Sequence, residues 1–154
     1  MQRPVLVSIV LAASIAVPAL VLLICLCFPH AVGRPTYVTV YFVPAIGGFL
    51  LWVYYRLRRA ESYGFLQGLL DGLVVVLCSL RMTAPLVPMS GHMLLFVYAG
   101  ITVRSLVFRS IMALLIVETS IIKLVYWGDY GSWTWGTLSG IVMGLVFIKA
   151  SRAG

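Results

Sequence analysis

Only two histidines occur in the 154 residues, and one of them, His92, belongs to a short polar triplet. The triplet, Ser90, Gly91 and His92, lies within the stretch PLVPMSGHMLLF, residues 85 to 96. Pro85 and Pro88 hold the chain before it out of a helix, and an apolar run follows at once. The triplet therefore marks a helix N-terminus, where free N–H groups and a partial positive charge make a ready anion site. Ser90 can cap the helix and donate to an anion. Gly91 lets a ligand approach the backbone closely. Arg81 precedes the triplet and Lys123 follows it. Two cations, a hydroxyl, an imidazole and a helix mouth together suit a phosphate. The plainer alternative is a helix cap with an interfacial histidine, flanked by two basic side chains that snorkel to lipid headgroups.

A bilayer would have to position those residues. The chain is 62% hydrophobic and only 10% charged, with a mean hydropathy of +1.10. A soluble domain of this size could not hide so much apolar surface, whereas a membrane takes roughly 20 apolar residues per spanning helix. Lipid requires every backbone polar group to be paired internally, and the continuous apolar runs lack the alternation of a β-barrel. The expected fold is all-α, a polytopic membrane helical bundle forming one domain over residues 1–154. About six spans are expected, at 4–28, 37–55, 63–80, 87–103, 107–127 and 133–149. RSLVFR is a short break and the last span is short, so five spans stay open as an alternative. The first run is read as a retained span: it is longer than a signal-peptide core and lacks a small-residue cleavage site.

Charge sets the orientation. With six spans, eight of the 11 Lys and Arg fall on one side: Arg3, Arg56, Arg58, Arg59, Arg104, Arg109, Lys149 and Arg152. Arg34, Arg81 and Lys123 fall on the other. The positive-inside rule makes the first side, with both termini, cytoplasmic. Ser90, His92 and Lys123 are then external, in a plasma or inner membrane. The net charge of +7 is first a topology signal, and it would also attract anionic headgroups. The basic residues flank spans and build no separate domain, so no nucleic-acid partner is expected.

The residues from about 75 to 148 resemble the type 2 phosphatidic acid phosphatase (PAP2) superfamily, six-span membrane lipid phosphatases. Ser90, Gly91 and His92 match that family's Pro-Ser-Gly-His motif at the start of the fourth span, with Met89 where proline is usual and Pro88 one place early. Arg81 resembles the arginine of the first motif, although its proline is displaced to Pro85 and Val74 stands at the lysine position. Lys123 stands for the third-motif arginine, with Ser120 nearby. The resemblance implies that Arg81, Ser90 and Lys123 hold phosphate and that His92 is a general acid. The nucleophilic histidine is missing: the corresponding residue is Asp129, or Tyr130 with a slip of one, and the aspartate position holds Trp133 or Thr134. No histidine follows His92. The chain thus looks like a degenerate member, a pseudoenzyme that binds the phosphate of a lipid. Hydrolysis would need Asp129 to attack phosphorus or His92 to activate water. Binding alone and binding with hydrolysis both stay open at this point.

Other residues carry other readings. Asp71 and Glu118 fall near the middle of expected spans with no basic residue at that depth, so each should be protonated or partnered. They serve either a proton or cation relay or contacts between helices, and would share a proton if they touched. The main alternative function is accordingly a non-catalytic membrane scaffold or transport subunit, packed against a partner membrane protein or a second copy. Gly64, Gly68 and Gly72, and likewise Gly136, Gly140 and Gly144, recur every fourth residue on one helical face, a GxxxG-type close-packing signature. Trp127, Trp133 and Trp135, with Tyr126 and Tyr130, suit an interfacial aromatic belt. Met82, Met89, His92 and Met93, with His30, could in type hold copper(I), and the two histidines could hold a haem. Methionine is ordinary filler in apolar helices, and no metal or other cofactor is expected. Cys25, Cys27 and Cys78 lie in apolar runs and read as small hydrophobes rather than as a disulfide framework.

Overall fold

The computed structural model describes residues 34–57, 64–83 and 88–153, with side chains over 46–57, 64–80 and 88–152. The expected first span, with Cys25, Cys27 and His30, lies outside the described residues. Every described element is helical: α1 (Arg34–Leu57), α2 (Phe65–Thr83), α3 (Gly91–Thr102), α4 (Leu106–Ile121) and α5 (Tyr130–Ala153). A widened π turn, Ile122–Tyr126, continues α4. The residues from Arg56 onward form a compact unit of their own, which therefore includes the end of α1.

Each helix of that unit begins at a cap that the sequence supplies. Gln67 folds back so that its Oε1 accepts from Gly64 N, half of a capping box. Ser90 Oγ accepts from Met93 N before α3, and Ser105 Oγ from Phe108 N before α4, both at 3.4 Å. Asp129 Oδ1 accepts from Ser132 N before α5. The widening of α4 follows two side chains that bond back along the helix, Thr119 to Leu115 O and Ser120 to Ile116 O, a pattern that bends helices. Gly128, at φ 60°, then lets the chain reverse into α5.

α3 is the centre. Residues 93–99 are all buried, as a helix covered on every side must be. α2 and α4 run antiparallel to it: Asp71 meets Tyr98 while Cys78 meets Gly91, and Gly100 faces Met112. α5 runs parallel to it, stepped in register through glycines. A Cβ on Gly136 would lie 2.6 Å from Ser90 O, on Gly140 2.9 Å from Val97 Cβ, and on Gly144 2.9 Å from Ile101 Cγ2. The second glycine series behaves differently. Gly64, Gly68 and Gly72 are exposed, and no described residue comes near enough at Gly68 or Gly72 to need a glycine. The spacing is the same, but among the described residues only the face turned to α3 is a close-packing face.

The outward faces are apolar too. Leu66, Leu69 and Leu73 of α2, Val107 and Val117 of α4, and Val142 and Leu145 of α5 are all exposed. Tyr130–Arg152 is the one helix among the described residues long and apolar enough to cross a membrane, at 23 residues and a mean hydropathy of 1.3. α3, with 12 residues, extends only about 18 Å, short of a hydrocarbon core of about 30 Å.

One chemical change should therefore have two outcomes. Gly136→Ala places a methyl group against the Ser90 carbonyl and should cost about 1–3 kcal/mol, the scale of overpacking. Gly68→Ala, on the open face, should leave stability unchanged or raised through helix propensity. Thermal unfolding of both variants in detergent checks this; equal losses would mean that the α3–α5 contact is not held by its glycines.

Candidate functional site

The start of α3, the end of α4 and the start of α5 meet at one end of the bundle. Ser90 N donates to Ser132 O at 2.9 Å, which ties α3 to the first turn of α5. Lys123, on the π turn, is buried. Its Nζ donates to Asp129 Oδ2 at 2.9 Å and to Ser132 Oγ at 3.0 Å. Ser132 Oγ in turn donates to the same Asp129 oxygen. Lys123 also lies 5.5 Å from the Trp127 ring centroid, in cation–π range. Trp133 Nε1 donates to Ser120 Oγ at 2.9 Å and makes a second link between α4 and α5. Ser90, Lys123 and Asp129 are thus brought together through Ser132, a residue that sequence reasoning passed over.

The geometry assigns several of these residues work within the fold. Asp129 is the cap of α5 and the counter-charge of Lys123, so its carboxylate is already taken up. Partial burial raises its pKa, but hydrogen bonds from Ser132 and Lys123 and the Lys123 charge outweigh this and bring it from 3.8 down to about 2. Gly91 faces the α2 backbone: a Cβ there would lie 3.4 Å from Cys78 Cα, and Cys78 Sγ donates to Gly91 O. That Cβ distance is an ordinary van der Waals contact, so helix packing alone does not call for glycine at this position. His92 sits beside Ser90 with its ring 6.1 Å from that of Phe96, within electrostatic range of Lys123. Arg81 is the third-last residue of α2, and its side chain lies outside the described residues. Tyr130 and Trp135 are exposed at this same end.

Asp71 and Glu118, the two acids expected within spans, are placed elsewhere, and one expectation about them is corrected. Asp71 does have a basic partner: Arg56 Nε is 3.1 Å from its Oδ2, and Arg56 Nη2 donates to its Oδ1 at 3.3 Å. Tyr98 Oη donates to Asp71 Oδ1 at 2.5 Å, and Arg56 Nη2 donates to Thr102 Oγ1 at 2.6 Å. The Arg56 guanidinium lies 4.2 Å from the Phe147 ring centroid. Sequence reasoning put Arg56 in a loop and Asp71 at mid-membrane; α1 extends to Leu57, and Asp71 comes only six residues after the start of α2. Glu118 is buried in the inward stripe of α4, and neither carboxyl oxygen has a hydrogen-bond partner among the described residues. The two acids do not share a proton. Among the described residues no group of His, Cys, Asp and Glu has the geometry to hold a metal ion.

Comparison of the chain with protein-family models, with curated proteins and with solved structures finds no match.

The Lys123–Asp129 pair gives a signed pH dependence. Because folding lowers the carboxyl from 3.8 to about 2, the pair contributes fully above about pH 4, and that stability is lost as the pH falls toward 2. Asp129→Asn should remove this acid-dependent component. It should also lower stability at pH 7 by about 2 kcal/mol, below the 3–5 kcal/mol of a fully buried pair, since Asp129 is 28% exposed. Unfolding midpoints between pH 2 and 7 check both parts.

Proposed function

We propose that the chain is a PAP2-like polytopic membrane protein, with six spans and both termini cytoplasmic, whose external end recognises the phosphate of a lipid without hydrolysing it. The observation that carries the second half is the engagement of Asp129. Where the resemblance calls for a nucleophilic histidine, this chain has a carboxylate bound to Lys123, to Ser132 Oγ and to the α5 N-terminus. A carboxylate that accepts from a cation and two further donors is a poor nucleophile toward phosphorus.

Binding is supported by what surrounds it. The N-terminus of α3, His92 and Lys123 belong to one end of the bundle. Lys123 has three N–H donors and gives two of them to Asp129 and Ser132, which leaves one for an anion. Arg81, whose position resembles the first motif, would add the charge that Asp129 cancels. Tyr130 and Trp135, exposed beside it, suit the headgroup boundary, and the apolar exterior suits lipid.

The test uses the purified chain in nanodiscs containing phosphatidic acid. Release of inorganic phosphate should stay at the level of empty nanodiscs. Arg81→Ala and His92→Ala should each weaken retention of phosphatidic acid about tenfold, the scale of one charge-assisted hydrogen bond. Phosphate release that disappears in Asp129→Asn would reinstate hydrolysis, and unchanged retention in both variants would remove the binding site.

A transport subunit is the second reading, and Glu118 favours it. A buried carboxyl without a hydrogen-bond partner is costly in an apolar interior. Its burial within the bundle suits an internal proton or cation relay better than a contact with a second chain. Glu118→Gln keeps the shape and removes the charge. On this reading proton flux into proteoliposomes falls to background in the variant, with thermal stability unchanged or higher. An unaltered protein that passes no protons would end it.

A further inference from the structure

The opposite end of the bundle holds a cavity of about 400 Å³, bordered by Arg56, Arg104, Arg109 and Arg152. Among the described residues no acidic side chain lines it. We propose that this cavity binds a phosphate monoester, supplied either by the headgroup of an anionic lipid or by a soluble organic phosphate. The proposal is independent of the reading of the Ser90 end and shares no residue with it.

The parallel packing of α3 and α5 creates the place. Both helices end here, so their C-terminal carbonyls face the same region and carry partial negative charge. Basic residues at such ends are ordinary, and Arg109 acts in that way: its Nε donates to Val103 O at 2.9 Å and an Nη to Ile101 O at 3.5 Å. Helix ends do not account for all four. Arg56 is held inside the bundle by Asp71 and Thr102. Arg104 and Arg152 are exposed and border the same cavity. Asp71 offsets the charge of Arg56, and Arg109 answers the helix-end carbonyls; the charges of Arg104 and Arg152 then remain around the same concave space. Like charges gathered in this way repel one another, and a dianion placed among them relieves that repulsion.

The chemistry of the lining selects the ligand class. Guanidinium groups present paired N–H donors that match phosphate oxygens two at a time. Gln67, Thr102 and Ser151 add neutral polar groups to the lining. The volume falls within the range of small-ligand pockets, about 300–1,000 Å³. A monoester dianion matches several guanidiniums better than a diester monoanion with one charge. Residues that only signal topology can lie anywhere along their side of a membrane; these converge on a cavity.

The test compares the full-length protein with Arg104→Gln/Arg152→Gln, a double change at two exposed positions, in nanodiscs. The probes are phosphatidic acid, which carries a monoester, and phosphatidylserine, which carries a diester and a net single charge. The unaltered protein should retain phosphatidic acid about tenfold better than phosphatidylserine, and the double variant should lose that preference. Arg104→Lys/Arg152→Lys keeps the charge but not the paired donors, and should lose most of it. The comparison is repeated with Ser90→Ala/His92→Ala added to every protein, so that retention at the other end of the bundle no longer enters; the preference, and its loss in the glutamine variant, should both persist. Glycerol phosphate that displaces the lipid shows that the soluble ester is enough; failure to displace it shows that the acyl chains contribute. Either result is consistent with the site. Equal retention of the two lipids, or full preference in the glutamine variant with its thermal stability intact, would overturn the proposal.

Discussion

The contact between α3 and α5 constrains most of what surrounds it. Three glycines, Gly136, Gly140 and Gly144, let two parallel helices approach until a single Cβ would collide with the facing residues. Parallel neighbours align their dipoles, which is electrostatically unfavourable unless the ends are compensated. The ends are compensated here by opposite means. Asp129 caps the N-terminus of α5, and Ser90 caps that of α3. At the other end Arg109 donates to the terminal carbonyls of α3, and Arg152 lies in the last turn of α5. The polarity of the unit, one end with an acid at its helix mouths and the other rich in arginine, follows from that one packing choice.

Burial of charge follows the same division. Each end has an ion pair that joins consecutive elements: Lys123 on the π turn with Asp129 before α5, and Arg56 with Asp71 of α2. Neither pair stands alone, because Ser132 completes the first and Tyr98 and Thr102 complete the second. In a low-dielectric setting an ion pair offsets its desolvation only when the remaining donors and acceptors are also satisfied. Glu118 is the exception among the described residues, a buried acid without such a shell.

The sequence revealed helices more readily than their partners. Apolar runs and Pro- or Arg-rich breaks located the described helices within a few residues, because periodicity and breakers are local signals. Ser90 was legible as a cap for the same reason. The glycine series was legible only as spacing: Gly64, Gly68 and Gly72 have the same period as Gly136, Gly140 and Gly144, and nothing local says which face meets another helix. Ser132 was missed although Asp129 lies three residues before it at a helix start, the spacing of a cap and its N3 position. The Arg56–Asp71 pair was missed because the second helix was ended too early. An arginine at the end of one apolar run and an acid near the start of the next have opposite charge and a short separation in sequence, and that was the available signal.

The two ends also differ in what an anion would encounter. At the Ser90 end the cation is already matched, since Lys123 and Asp129 sum to no charge. An incoming phosphate there must compete with a carboxylate that is covalently fixed 2.9 Å away, an effectively high local concentration. At the arginine end Asp71 pairs with Arg56 and Arg109 donates to the α3 carbonyls, while Arg104 and Arg152 have no carboxylate among the described residues and would gain from an anion without displacing one. If both proposed sites bind phosphate, local charge balance would make recognition at the first end an exchange and at the second an addition. The same phosphate chemistry then predicts weaker, geometry-dependent binding at the helix mouths and stronger, salt-sensitive binding where the helices end.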